Sequence, residues 1–158
     1  MDARHRPAGD ARRDRGAEKI EDLIRGEPGV KIERKIAAAP ETVFSYLTDP
    51  AKFVAWMGAR AELDARPGGR FRIEVENGTV AAGEYLEVDP PNRLVLSWGW
   101  EGNDAVPPGS TTVEITVAPA GSGSLLRLRH LGLPTEEQRA LHQGGWTMYA
   151  DRLADLFG

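Results

Sequence analysis

The chain contains no cysteine. This removes disulfide staples, thiolate metal sites and cysteine nucleophiles in one step. It also fits a reducing compartment. The charged N-terminus has no apolar stretch behind it, so no secretory signal is expected, and the cytoplasm is the expected location. No apolar run approaches the about 20 residues that a membrane span needs. Histidine is scarce: His5, His130 and His142 are the whole set. They lie far apart in the sequence without a neighbouring acidic motif, so no metal site is expected. The nucleophile elbow, the phosphate-binding glycine loop and the dinucleotide fingerprint are all missing, and no cofactor is implied. Gly99, Gly102 and Gly109 sit in or beside an irregular loop, not between a strand and a helix. The net charge of −4 falls outside the first 28 residues, which hold seven Lys+Arg and seven Asp+Glu. A mildly acidic body without clustered Lys/Arg is a poor partner for nucleic acid.

What remains suits one folded domain. The 158 residues are 41% apolar, with four Trp and four Phe. At this size a domain buries roughly 70% of its unfolded surface and needs no staples. Residues 1–28 read as a flexible charged extension, with one short helix expected over 17–25 from Ile20, Leu23 and Ile24. Residues 29–158 read as the domain.

Val30, Ile32 and Ile36 mark a first strand, with Arg34 interrupting the alternation. Pro40 and Glu41 suit the first turn of a helix carrying Val43, Phe44 and Leu47. Asp49-Pro50 ends it, and Phe53, Val54, Trp56 and Met57 suggest a second helix. Strands follow over 61–65 and from Arg70, where Phe71, Ile73 and Val75 alternate with charge. Asn77-Gly78 is a hairpin signal, and Thr79 to Val88 return. Leu94, Leu96, Trp98 and Trp100 share one strand face. Val113, Ile115 and Val117 share another, and Leu126, Leu128 and His130 a third. Glu74, Glu76, Glu87 and Glu114 fall on the outward parity, so no pair of acids converges.

The last element is a long helix over about 135–157. Thr135 and Gln138 have the spacing of a capping box. Trp146, Tyr149, Leu153 and Leu156 form the expected buried stripe. Gly144-Gly145 interrupts it, and such a pair suggests close packing against the backbone. Every strand from 70 onward has one apolar face, and only this helix is large enough to cover it. The expected fold is therefore α+β of the helix-grip kind: a curved antiparallel sheet wrapped around a long C-terminal helix, with two short helices after the first strand.

Several short motifs carry a resemblance. Ala39-Pro40-Glu41-Thr42-Val43-Phe44 opens the first helix, and Trp56-Met57-Gly58 follows it. Pro67-Gly68-Gly69-Arg70-Phe71 enters a strand. Gly83-Glu84-Tyr85-Leu86-Glu87-Val88 and Pro91-Asn92-Arg93-Leu94 form a hairpin. His130 and Gly145-Trp146 close the series. In order and spacing these resemble the START/Bet v-type superfamily, labelled SRPBCC. Within it they look most like the branch of activator of heat-shock-protein-90 ATPase homologues. The resemblance covers about residues 30–157. It implies the helix-grip fold and a scaffold on which lipid carriers, polyketide cyclases, hormone binders and chaperone assistants all occur, so fold alone does not give function.

The candidate residues are those whose side chains turn toward the helix. His130 shares its face with Leu126 and Leu128, and can hydrogen-bond a ligand or act as an acid or base. A buried structural histidine is the competing reading. Tyr85 is a second weak catalytic candidate. Trp98, Trp100, Trp56 and Trp146 offer an aromatic lining for a planar apolar ligand, although Trp98 and Trp100 equally suit an ordinary core and Trp146 suits it better. Phe71, Ile73, Tyr85, Ile115, Leu128 and Tyr149 complete the expected wall. His142 lies one turn before Trp146, either at the mouth or as a half-exposed surface residue. The leading functional expectation is binding of an apolar small molecule between sheet and helix. A cyclase or hydratase acting on polyketide-like substrates is the first alternative. Docking on a chaperone ATPase is the weaker one, because the extra domain of the eukaryotic co-chaperones is missing. Exposed edge strands leave a homodimer open.

Overall fold

The computed structural model describes residues 29–75 and 78–158. The readings made for residues 1–28, His5 included, and for Glu76 and Asn77 lie outside the described residues. Among the described residues, seven strands form one antiparallel sheet in the order β1-β7-β6-β5-β4-β3-β2. They are β1 (Gly29–Ile36), β2 (Arg60–Leu63), β3 (Arg70–Glu74), β4 (Val80–Asp89), β5 (Arg93–Trp100), β6 (Thr111–Ala120) and β7 (Gly123–Leu131). The helices are α1 (Pro40–Thr48), α2 (Pro50–Phe53) and α3 (Glu136–Asp155). This is the expected helix-grip architecture. No helix among the described residues is long and apolar enough to cross a membrane.

Successive strands from β2 to β7 pair as neighbours, which the period-two writing and the short turns demand. β1 closes the sheet by pairing with β7, with Gly29 opposite Leu131 and Ile36 opposite Ser124. One face is largely apolar. Ile32, Ile73, Leu94, Leu96, Trp98, Val113, Ile115, Leu126 and Leu128 are all buried there beneath α1, α2 and α3. A register shift between Tyr85 and Glu87 bends β4 over this core and leaves Leu86 exposed.

The irregularities in the sequence have physical explanations. Arg34 breaks the alternation of β1 because it faces α3, where its guanidinium reaches Asp151 at 2.7 Å. Both partners are substantially exposed, so the pair adds at most about 1 kcal/mol. Asp49 caps α2 by accepting from the Ala51 backbone, and α2 ends at Phe53. Val54, Trp56 and Met57 therefore lie in turns beyond the helix. Thr135 caps α3 as expected, accepting from the Gln138 N–H at 3.1 Å.

Two expectations need correction. Leu156 is 44% exposed, because α3 ends at Asp155; Ala150 takes its place in the buried stripe with Trp146 and Leu153. A Cβ placed on Gly144 or Gly145 meets nothing within 4 Å, so these glycines mark open space, not close packing. Glu114 does face outward, yet it is buried beneath Arg93 Nη1, which donates to its carboxylate, with Arg129 at 4.0 Å.

Candidate functional site

A cavity of about 460 Å³ opens between the first four turns of α3 and the ends of β3, β4 and β5. Trp98, Trp100 and Trp146 form its aromatic wall. Met57, Val75, Leu141, Met148 and Tyr149 add apolar surface, and Thr79, Asn103, Gln138, His142 and Gly145 complete it. Among the described residues, no Asp, Glu, Lys or Arg lines it. Its size and predominantly apolar wall suit a small-molecule site. Behind it, the space directly between sheet and helix is filled. Only a void of about 10 Å³ remains there, among residues that include Trp56, Phe71, Ile115, Trp98 and Trp146.

The sequence-based candidates therefore divide. Trp98, Trp100, His142, Trp146 and Tyr149 come together at the cavity. Trp56, Phe71 and Ile115 surround the small void. Ile73, Tyr85, Leu128 and His130 are buried core that lines neither space. Trp56 is fixed by donating from Nε1 to the Tyr46 carbonyl at 2.9 Å. The aromatic rings interlock. Trp98 lies 5.4 Å from Trp100, 5.0 Å from Trp146 and 5.5 Å from Phe71, centroid to centroid. Contacts of this geometry add about 0.5–1.5 kcal/mol each beyond burial.

Two histidine–tryptophan couples hold α3 to the sheet, and the chemistry of their partners fixes both tautomers. The Thr111 hydroxyl donates to the Trp98 carbonyl at 2.7 Å, so its proton is committed. It must then accept from His130 Nε2–H at 2.8 Å. His130 Nδ1 is left to accept from Trp146 Nε1–H at 2.9 Å. His142 is the mirror case. Its Nδ1 faces the Gln138 carbonyl at 2.8 Å and must donate. Its Nε2 accepts from Trp100 Nε1–H at 3.0 Å. A second proton on either ring would set N–H against N–H. Burial pushes the pKa of His130 down to about 3, with the nearby His142 acting in the same direction. Burial likewise lowers that of His142, opposed by its bond to the Gln138 carbonyl. Burial raises the pKa of the Tyr85 phenol, with Asp64 adding to it.

Among the described residues, two buried polar atoms have no protein partner, the Tyr85 hydroxyl and Trp98 Nε1. Trp98 contributes to the cavity wall, but its Nε1 is sealed from solvent in the core.

Sequence reading missed Met57, Val75, Thr79 and Asn103 as cavity residues, and on α3 Gln138, Leu141, Gly145 and Met148. Gln138, Leu141, Gly145 and Met148 recur at helical spacing beside His142, a signal that a second, half-apolar stripe on α3 would have given. A second concavity of about 470 Å³ lies between α1 and the β4–β5 turn, lined by Phe44, Val88, Pro90 and Pro91 among others. It has neither the aromatic cluster nor an unpaired buried donor.

Comparison with known proteins agrees with this fold. Residues 37–158 match the family described as Activator of Hsp90 ATPase homolog 1-like protein. An AHSA1-like protein from Rhizobium etli, known from its solution structure, is 45% identical. It aligns over 81% of this chain and 80% of its own, with a TM-score of 0.66. CalU16 from Micromonospora echinospora is 30% identical over 81% of this chain and 74% of its own, with a TM-score of 0.65. Human Activator of 90 kDa heat shock protein ATPase homolog 1 is 24% identical over 133 residues. That match takes in 82% of this chain, which spans only 37% of the human protein's length. With the family model covering most of its length and a relative this similar, the chain belongs to the Activator of Hsp90 ATPase homolog 1-like family.

Proposed function

We propose that this protein binds an apolar small molecule in the cavity beside α3, without converting it. The observation that carries this reading is the cavity of about 460 Å³ walled by Trp98, Trp100 and Trp146 and lined, among the described residues, by no Asp, Glu, Lys or Arg. Burying an apolar ligand against such a wall gains roughly 25 cal/mol per Å² removed from water. Binding is favoured over turnover because the two catalytic candidates do not line the cavity. Both ring nitrogens of His130 are engaged, and the Tyr85 phenol is held protonated by burial.

The test uses Gly145→Leu. A Cβ at Gly145 has open space, so leucine is accommodated by the helix and occupies the cavity. Titration of the wild type with 2-ethylnaphthalene, followed by backbone amide NMR, should move resonances around Trp100, His142 and Trp146 saturably. Gly145→Leu should abolish the response while keeping the rest of the spectrum. Unchanged binding by that variant would place the site elsewhere. Mass spectrometry of the recovered ligand separates binding from turnover, since a rearranged or hydrated product would favour the cyclase or hydratase alternative.

The chaperone reading has its own support in the human relative's name. It predicts that charge reversal at Arg127 and Arg129, outside the cavity, alters the ATPase rate of an added heat-shock-protein-90.

A further inference from the structure

The cavity has an unusual balance of polar groups, which narrows what it can hold. This inference rests on the binding reading above. Asn103 lies in the loop joining β5 to β6 and lines the cavity. Its Oδ1 accepts from two backbone donors, Ala105 N–H at 2.8 Å and Val106 N–H at 3.0 Å. Backbone N–H groups only donate, so the amide cannot be reversed without breaking both bonds. The oxygen is turned inward and consumed. Among the described residues, the Nδ2 group has no acceptor for its two N–H donors. The loop that carries it is anchored, because Val106 is fully buried and its carbonyl accepts from the Trp100 N–H at 2.7 Å. The donor is therefore held in place before any ligand arrives, which lowers the entropy cost of using it.

Two acceptors at the wall are taken: the Gln138 carbonyl and His142 Nε2 already receive protons from His142 Nδ1 and Trp100. The side chains of Gln138 and Thr79 also line the cavity and can either donate or accept. Among the described residues no Lys or Arg lines it, and His142 stays neutral because both nitrogens are committed. A carboxylate or phosphate would lose its water there with nothing to offset the charge.

We propose that Asn103 is a specificity-determining residue, whose fixed amide N–H groups donate to an oxygen acceptor on an uncharged, planar aromatic ligand such as an aryl ketone.

Three naphthalenes of one shape test this. 2-Ethylnaphthalene has no oxygen, 2-acetylnaphthalene has a neutral acceptor, and 2-naphthoate carries a charge. The wild type should bind the ketone about tenfold more tightly than the hydrocarbon, the gain of one well-placed hydrogen bond. It should bind the carboxylate more weakly than the ketone. Asn103→Asp is nearly isosteric and keeps an oxygen for the Ala105 and Val106 N–H groups, so the loop persists. It replaces the free donor by an acceptor. The variant should lose the tenfold preference for the ketone over 2-ethylnaphthalene, the ratio of the two affinities being the readout. Equal wild-type affinity for ketone and hydrocarbon would overturn the proposal and leave the cavity reading standing. So would tighter binding of the carboxylate, or an equal fall for both neutral ligands in Asn103→Asp. Failure of all three to bind the wild type would remove the cavity reading, and this proposal with it.

Discussion

His130 and His142 should stay neutral well below pH 6.5, in opposite tautomers, and this makes acid a selective perturbation. Unfolded, each ring takes up a proton near its ordinary pKa of about 6.5. Folded, His130 resists protonation down to about pH 3, because burial removes the water that would stabilise the charge. The unfolded chain therefore binds more protons than the folded one as pH falls. Stability from this group is fully present above pH 6.5 and is lost progressively below it. The slope approaches about 1.4 kcal/mol per pH unit, so His130 alone removes about 1.4 kcal/mol by pH 5.5 and about 2.7 kcal/mol by pH 4.5. His142 shifts in the same direction and steepens the loss. Urea unfolding of the wild type and His130→Phe at pH 7.5, 6.5, 5.5 and 4.5 isolates the effect, since carboxylates titrate alike in both. The variant starts less stable, because Trp146 Nε1–H and the Thr111 hydroxyl lose a partner, but its stability falls less steeply below pH 6.5. Ring ¹⁵N NMR gives an independent reading: Nε2–H for His130 and Nδ1–H for His142. Parallel stability curves, or a His130 resonance titrating near pH 6.5, would refute the reasoning.

Three further outcomes follow from the same contacts. Gly144→Ala should raise stability by up to about 1 kcal/mol in thermal or urea unfolding, because the position is helical and a Cβ there meets nothing within 4 Å. Tyr85→Phe removes a buried hydroxyl that has no partner, so stability should hold or improve; a loss above about 1 kcal/mol would reveal a hydrogen bond at that oxygen. Thr111→Val keeps the shape but strands His130 Nε2–H and the Trp98 carbonyl, and should cost about 2–4 kcal/mol, whereas Thr111→Ser should cost much less.

The fold was legible because its signals are local. Phe71, Ile73 and Val75 declare a half-buried strand within five residues, and Thr135 declares a helix start within four. Parity placed His130 on the inner face correctly. Parity carries no information on what crosses from another element, so the Trp146 N–H that claims His130 Nδ1 was invisible. The two glycines of α3 were read as a tight approach, since that is one reason to tolerate them. The structure shows the other reason, at Gly145, which is room for the cavity. Leu156 matched the stripe by spacing, but spacing does not announce where the helix stops covering the core. Asn103 was passed over inside a loop noted for its glycines and prolines. Its turn with Ala105 and Val106 is a local motif, and a search for asparagines preceding a lone apolar loop residue would have found it.

The pairing of β1 with β7 has a consequence for how the protein is made. Gly29 must wait for Leu131, about a hundred residues later in the chain. At about 5–20 residues per second of synthesis, the first strand spends several seconds or more without its only sheet neighbour. During that interval its apolar residues Val30, Ile32 and Ile36 have no core to enter, while Lys31, Glu33 and Lys35 between them discourage pairing with other chains. Closure by the last strand, followed by α3, then converts a string of hairpins into a single cooperative unit. A ribosome-bound chain ending before β7 is therefore expected to keep β1 open to protease, and one extending beyond α3 to protect it.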